Sequence, residues 1–429
     1  MIETPSAALS ALRAETTRLS IGDRRALLAA LADAAIRRAE DLASAADADY
    51  NGRSRTETLI ADVLLVAQAA RRARRWLRWW ARPRLVPVPL AFMPSLAWVE
   101  PVPKGVVGVM APWNYPIQLG LWPLAEALAA GNRVVLKPSE HTPRTAALLA
   151  ELVEAALGPR IARVVQGDAA VAADFAAQPW DHLVFTGGTD TGRQVMRAAA
   201  DHLVPLTLEL GGRCPALVLP GADLARAAKA ILAGKAMNAG QTCVAPDTVV
   251  LVGHEPEMFR AACRAASVPC ESAVLPHRRT AQAKLAAGGE ILPGGIALLP
   301  DDPGNEIFGP ALALETVSNL DSAIGWLRQR PAPLAIYLFG ASKEERQALA
   351  ARSRSGAIVE DRCVDYAAFP ALPFGGVGAS GFGRYHGRAG FDAFSDWRAR
   401  VRHGPFALSR LLDPPRDHRA LTLARRLLR

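Results

Sequence analysis

Cys243 lies in the run Gly240-Gln241-Thr242-Cys243-Val244-Ala245-Pro246-Asp247, and upstream of it stands Glu209-Leu210-Gly211-Gly212. A cysteine in a glycine-turned loop is a candidate nucleophile, and a carboxylate beside such a loop is a candidate base. Most cysteines of reduced proteins simply pack inside. The Gly-Gln-Thr context separates Cys243 from Cys214, Cys263, Cys270 and Cys363, which have no comparable loop. A free thiol with a pKa of about 8.5 is only a few per cent thiolate at neutral pH, so Cys243 needs backbone amides, a helix N-terminus or a nearby positive charge to react. Glu209 ends a predicted strand, where an unpaired buried carboxylate is costly enough to imply a salt bridge or a function. Asn114, in Ala111-Pro112-Trp113-Asn114-Tyr115-Pro116, is held between two prolines. A stiff side-chain amide can donate to an oxyanion, although a turn-forming asparagine is the commoner explanation of such a residue alone. No histidine adjoins the cysteine or the glutamate, which weighs against a Cys-His hydrolase.

Two further loops end predicted strands. Lys137-Pro138-Ser139-Glu140 offers a cation and a carboxylate that could hydrogen-bond the hydroxyls of a ribose, although a strand-end lysine is usually only solvated. Thr186-Gly187-Gly188-Thr189-Asp190-Thr191-Gly192 places glycines at a strand-to-helix turn, where backbone amides can approach a pyrophosphate. It is not a Gly-x-Gly-x-x-Gly fingerprint, and alone it is as often a plain tight turn. In open α/β sheets, ligands bind beyond the carboxyl ends of the strands, so two such loops on one sheet favour a dinucleotide.

The elements that must carry these loops follow from periodicity. Residues 7–82 read as helices, broken near Ile21-Gly22 and Tyr50-Asn51-Gly52. Within them, 71–82 is expected to be a helix that turns Trp76, Trp79 and Trp80 inward. Six prolines over 83–103 indicate edge strands or an extended arm. From 105 onward short apolar runs alternate with helical stretches, with strands predicted at 106–110, 133–136, 161–166, 181–185 and 205–208. A second series falls at 216–219, 248–252, 311–315 and 335–339. Strands apolar throughout, each followed by a helix, mean an α/β fold of two Rossmann-like parallel sheets.

A chain of 429 residues accommodates two or three domains. The N-terminus lacks a signal-peptide pattern, no apolar run is long enough to span a membrane, and five cysteines without Cys-x-x-Cys spacing make a disulfide framework or metal site unexpected. A cytoplasmic protein is expected. The net charge of +9 is local: residues 71–84 hold seven arginines and no acid, and 398–429 hold nine arginines and two aspartates. Solvated faces near a domain or subunit contact account for both better than a nucleic-acid groove, with peripheral membrane contact of the tail a minority alternative.

Taken in order, these segments resemble the aldehyde dehydrogenase superfamily. The class 3 branch, and within it coniferyl aldehyde dehydrogenases, is indicated by Leu372-Pro373-Phe374-Gly375-Gly376-Val377-Gly378-Ala379-Ser380-Gly381 and by Tyr385-His386-Gly387-Arg388. The resemblance implies an NAD(P)-binding domain over 1–208 with its arm at 83–103, a catalytic domain over 209–383, and a C-terminal oligomerisation segment with a basic tail over 384–429. It implies Cys243 as nucleophile, Asn114 and the Cys243 backbone N–H as oxyanion donors, and Glu209 as activator of the hydrolytic water. Lys137 and Glu140 would bind the adenosine ribose, Gly188 and Gly192 would border the pyrophosphate, Glu306 and Phe308 would orient the nicotinamide ribose, and Phe374 would line the site. The expected reaction is oxidation of an aromatic or medium-chain aldehyde to its acid with NAD or NADP, by a homodimer. A CoA-acylating enzyme and a cofactor-binding relative without turnover are the rivals. Three departures stand out: Cys243 and Glu306 are 63 positions apart (306 − 243), short for the family and trimmed around 269–303; Gly188 replaces a frequent serine; and Glu360 replaces a frequent asparagine.

Overall fold

Apolar strands followed by helices bury both faces of a parallel sheet, and two such sheets form in the computed structural model, which describes residues 3–404, 410, 413–416 and 418–428. The first has Val106–Met110 at its centre, with Arg133–Lys137 and Ala162–Val164 on one side and His182–Gly187 and Leu206–Leu210 on the other. All five run parallel. The chain order reverses between Val106–Met110 and His182–Gly187, and the carboxyl ends at this switch point open the crevice where such sheets bind ligands. This sheet continues through Leu210, two residues past the expected boundary at 208, and takes back Gly381–Phe382 as an antiparallel edge against Leu208 and Glu209.

The second sheet is ordered Glu290–Ile291, Ala297–Leu299, Ala311–Val317, Pro246–Val252, Cys214–Val218, Ala335–Phe339 and Ala357–Glu360. All nine expected strands form, each within two residues of its predicted ends. Several others were not expected, because their sequences carry too many charges or are too short to show an apolar run. Ser395–Arg402 is the clearest: arginines interrupt it, yet it pairs antiparallel with Leu96–Pro103 over eight register positions. Arg84–Val86 adds a third strand, so the proline-rich arm and part of the C-terminal segment form one small sheet. Residues 405–409, 411, 412, 417 and 429 of the basic tail lie outside the described residues.

The tryptophan expectation needs correction. On the helix Leu64–Trp80 the core face is Val66, Ala70, Ala73, Leu77 and Trp80, a three- and four-residue spacing. Trp76 and Trp79 flank that stripe and remain 40% and 61% exposed. Arginines cover them instead: Arg72 sits over Trp76, and Arg82 over Trp79 at 5.0 Å. Among the described residues no helix is long and apolar enough to cross a membrane, and no cluster of three metal-ligating side chains occurs.

Candidate active site

The cysteine loop is built on strained backbone. Asn238, Ala239 and Gly240 all have positive φ, 49°, 52° and 71°, at the end of the helix Leu224–Ala236. A side chain on Gly240 would meet the Gly309 carbonyl at 2.2 Å, so glycine is required there. Gln241 ties the loop down: its Nε2 donates to Asn238 O at 2.8 Å and to Ala273 O at 3.2 Å, and its Oε1 accepts from Leu275 N–H at 2.9 Å. Such distortion persists only where its surroundings over-determine it.

Asn114 is fixed from behind. Its backbone carbonyl accepts from Arg53 Nη1 at 2.7 Å, Asn238 Nδ2 at 2.9 Å and Tyr50 O–H at 3.1 Å. One side-chain N–H donates to Gln241 O at 3.1 Å, which leaves the second free to point elsewhere. Arg53 is wholly buried and pairs with Asp62 at 2.9 Å. Asp62 lies in the π-helical turn Leu59–Val63 and also accepts from Gln118 N–H at 2.7 Å. Burial pushes the Asp62 carboxyl up to about 6 against the pull of Arg53.

Cys243 stands where two cavities meet. One is a polar cleft of about 470 Å³ lined by Trp113, Asn114, Gly188, Glu209, Glu306 and Phe308, among others. The other is an apolar pocket of about 220 Å³ lined by Ile60, Leu65, Leu119, Val364, Phe374 and His386, among others. Burial, then the carboxylates of Glu306 and Glu209, push the thiol up to about 12. Glu209 is buried with neither oxygen meeting a protein donor, and burial holds its carboxyl well above the ordinary carboxylate range although Arg384 opposes this. Glu306 accepts from Gly212 N–H at 3.2 Å and is raised by burial to about 7. A Cβ on Gly211 would meet its Oε2 at 2.2 Å, so Gly211 gives that carboxyl its room and Gly212 its donor.

The remaining expected positions divide. Lys137 and Glu140 pair at 3.0 Å at the end of their strand. Gly188 lines the cleft with open space above it, whereas Gly192 lies a turn along the helix Thr189–Ala200, where a Cβ would press on Leu210 at 2.5 Å. Gly192 serves close helix–strand packing and does not face the cleft. Phe308, at φ 42°, meets Trp113 edge-on at 5.4 Å. Glu360 is a surface residue paired with Arg346 at 2.9 Å, away from both cavities. The shortened segment is folded: Gln282 donates to the carbonyls of Ile307 and Phe308 and so braces the Glu306 loop.

Sequence reasoning missed Asp62, Asn238 and His386 as site residues, and gave Arg53 and Gln241 no role. Nothing local marks them, since their partners lie far along the chain or they act from inside a helix: Arg53 reaches Asn114 across 61 residues, Asn238 reaches it across 124, and Asp62 sits in the π-helical turn. His386 is buried between Trp122, stacked at 3.7 Å, and Phe374, at 5.1 Å. Neither ring nitrogen has a protein partner, and burial keeps the imidazole neutral.

A doubly wound sheet with an open crevice, set against a second sheet and meeting a partly buried thiol, is an architecture suited to a nucleotide-dependent oxidoreductase. The aldehyde dehydrogenase family model matches residues 3–268 and 303–399, and the chain belongs to that family. It is similar to a coniferyl aldehyde dehydrogenase of Pseudomonas sp. (strain HR199), 39% identical over 87% of this chain and 84% of that one. Its relatives include members of aldehyde dehydrogenase family 3 from Arabidopsis thaliana and mouse. Among solved structures, a substrate-bound Staphylococcus aureus AldH superimposes with a TM-score of 0.92 at 28% identity, covering both chains fully. An indole-3-acetaldehyde dehydrogenase solved with NAD+ matches at a TM-score of 0.82 and 25% identity, over 93% of this chain and 89% of that one. The protein is an NAD(P)-dependent enzyme that oxidises aldehydes. The unmatched stretch between 268 and 303 coincides with the trimmed segment.

Proposed function

We propose that Cys243 attacks the aldehyde carbon, that Asn114 and the Cys243 backbone N–H hold the resulting oxyanion, and that Glu209 activates the water that releases the acid. The observation carrying this reading is that Cys243 lies on both cavities, so a substrate in the apolar pocket and a cofactor in the polar cleft meet at its sulfur. The Cys243 thiol gives up its proton to solvent in the cleft, the thiolate sulfur bonds to the carbonyl carbon, and the carbonyl electron pair moves to oxygen, beside the free N–H of Asn114. When that oxygen re-forms its double bond, hydride leaves and a thioester on Cys243 remains. Water attacks the thioester, the thiolate departs, and Glu209 takes the water's proton. Burial holds the Glu209 proton to higher pH, and its ionised form, deprived of donors, is the strong base this step needs.

A nicotinamide cofactor, when bound, accepts the hydride and brings a positive ring beside the thiol. The residues fit it. Lys137 and Glu140 are assigned to the adenosine ribose, Gly188 to the pyrophosphate, and Glu306 with Phe308 to the nicotinamide ribose, while Gly192 acts only through its packing on Leu210. The Glu140 carboxylate favours a free 2′-hydroxyl, hence NAD over NADP.

The substrate reading is an aromatic aldehyde. A pocket of about 220 Å³ walled by Phe374 and Tyr385 suits a substituted ring. Similarity to a coniferyl aldehyde dehydrogenase supports the same class. NADH absorbance across an aldehyde panel checks this: hydroxylated cinnamaldehydes and benzaldehydes are expected to give a higher kcat/KM than hexanal to decanal. Preference for the aliphatic series would contradict it.

We further propose a cytoplasmic homodimer. Leu85 and Leu96 lie exposed on one face of the three-stranded arm, which suits a covered face. Light scattering is expected to give about twice the 45.6 kDa chain mass; the mass of a single chain would refute it.

A further inference from the structure

The segment that the family model passes over reaches across the cofactor cleft. Pro276–Arg278 forms a 3-10 turn leading into the helix Arg279–Ala286. His277 stacks on His141 at 4.1 Å, immediately after the Lys137–Glu140 pair, and meets Trp113 edge-on at 5.2 Å. Arg279 anchors the turn by donating to the carbonyls of Val274 and Tyr50. Arg278 is left over. It lines the cleft with Gly188, Thr189 and Glu306, and its Nε is buried without a partner. Among the described residues its guanidinium makes no hydrogen bond or ion pair. Its charge acts on Glu306 from within the same cleft, without closing to a salt bridge.

The buried Nε of Arg278 is a donor stripped of water with nothing to meet it, which is unfavourable unless an acceptor such as an anion arrives. The position of the turn says which anion. One neighbour reaches the strand end assigned to the adenosine ribose, and Arg278 itself faces the carboxylate assigned to the nicotinamide ribose. What joins the two riboses is the pyrophosphate. We infer that Arg278 clamps the cofactor's pyrophosphate from the side opposite the Gly187-Gly188 turn, a contact supplied by the shortened segment. This rests on the cofactor placement proposed above. Where a serine hydroxyl would serve, Gly188 offers none, and the fork of Arg278 provides charge-assisted bonds to phosphate oxygens instead.

Direct binding tests it, by calorimetry with NAD+, NADP+, ADP and adenosine on the full chain. Arg278→Ala is expected to weaken NAD+, NADP+ and ADP by a similar factor, roughly tenfold to a hundredfold, and to leave adenosine unchanged. Arg278→Lys keeps the charge without the fork and is expected to fall between, with an unchanged melting temperature; it carries the same comparison if the alanine variant does not fold. Loss confined to NADP+ would place Arg278 at a 2′-phosphate and overturn the inference, as would undiminished ADP binding. Failure of the unaltered protein to bind NAD+ or ADP at all would instead bring down the cofactor placement.

Discussion

Cys243→Ala is expected to lower kcat/KM for every aldehyde by at least about 10⁴-fold while leaving NAD+ binding and the melting temperature close to those of the unaltered protein. Removing a nucleophile removes the covalent route, and positioning alone recovers little of it. Cys243 is only partly buried in the chain, and the donors its sulfur meets are the backbone N–H groups of Cys243 and Val244, which alanine leaves in place, so the change costs little packing. The same thiol has a distinctive pH signature. Burial and two carboxylates push it up to about 12, so without cofactor it is neutral near pH 7. Below its pKa the thiolate fraction grows tenfold per pH unit, and iodoacetamide labelling of Cys243 is expected to follow that slope from pH 7 to 9. A positive nicotinamide ring lowers the thiol pKa, so NAD+ is expected to accelerate labelling at pH 7. PH-independent labelling, or residual turnover in Cys243→Ala, would count against this assignment.

Glu209→Gln is expected to separate the two halves of the reaction. Thioester formation does not need the carboxylate, whereas hydrolysis does, so mixing with aldehyde and NAD+ should give one NADH per site and then a steady rate reduced roughly 10²- to 10⁴-fold. Stability is expected to move the other way. The folded-state carboxyl is raised above its unfolded value of 4.5, so the native chain binds a proton that the unfolded chain releases, and stability falls as pH rises beyond 4.5. Glutamine does not ionise and escapes that loss at pH 7. A more stable variant with a burst and little turnover is the expected pattern. A missing burst, with turnover equally low, would assign Glu209 to the first half-reaction.

Much of this was legible in the chain because it is local. Strands such as Val106–Met110 and Ala335–Phe339 are apolar at every position, buried on both faces, and need no partner to be recognised. Cys243 and Asn114 sit in turns whose glycines and prolines announce them, and Glu209 lies near the end of a strand just ahead of the Gly211-Gly212 pair. What escaped depends on long-range register. Arg53 looks like any surface arginine until Asp62 and the carbonyl of Asn114 enclose it. Trp76 and Trp79 share a helix with buried Trp80, and only the packing against the first sheet's helices decides which faces inward. Arg278 is one arginine among many; that it alone of its turn faces the cleft follows from Arg279 being held by Tyr50, more than two hundred residues away.

The central claim, a covalent intermediate on Cys243 hydrolysed with the help of Glu209, is tested most directly by intact-mass and peptide mass spectrometry of Glu209→Gln. The protein would be quenched in acid seconds after mixing with an aromatic aldehyde and NAD+. The account expects one added acyl group, on the peptide containing Cys243 and only when NAD+ is present. An acyl group on Cys214 or Cys363, one that forms without NAD+, or none at all alongside continued NADH production would contradict it.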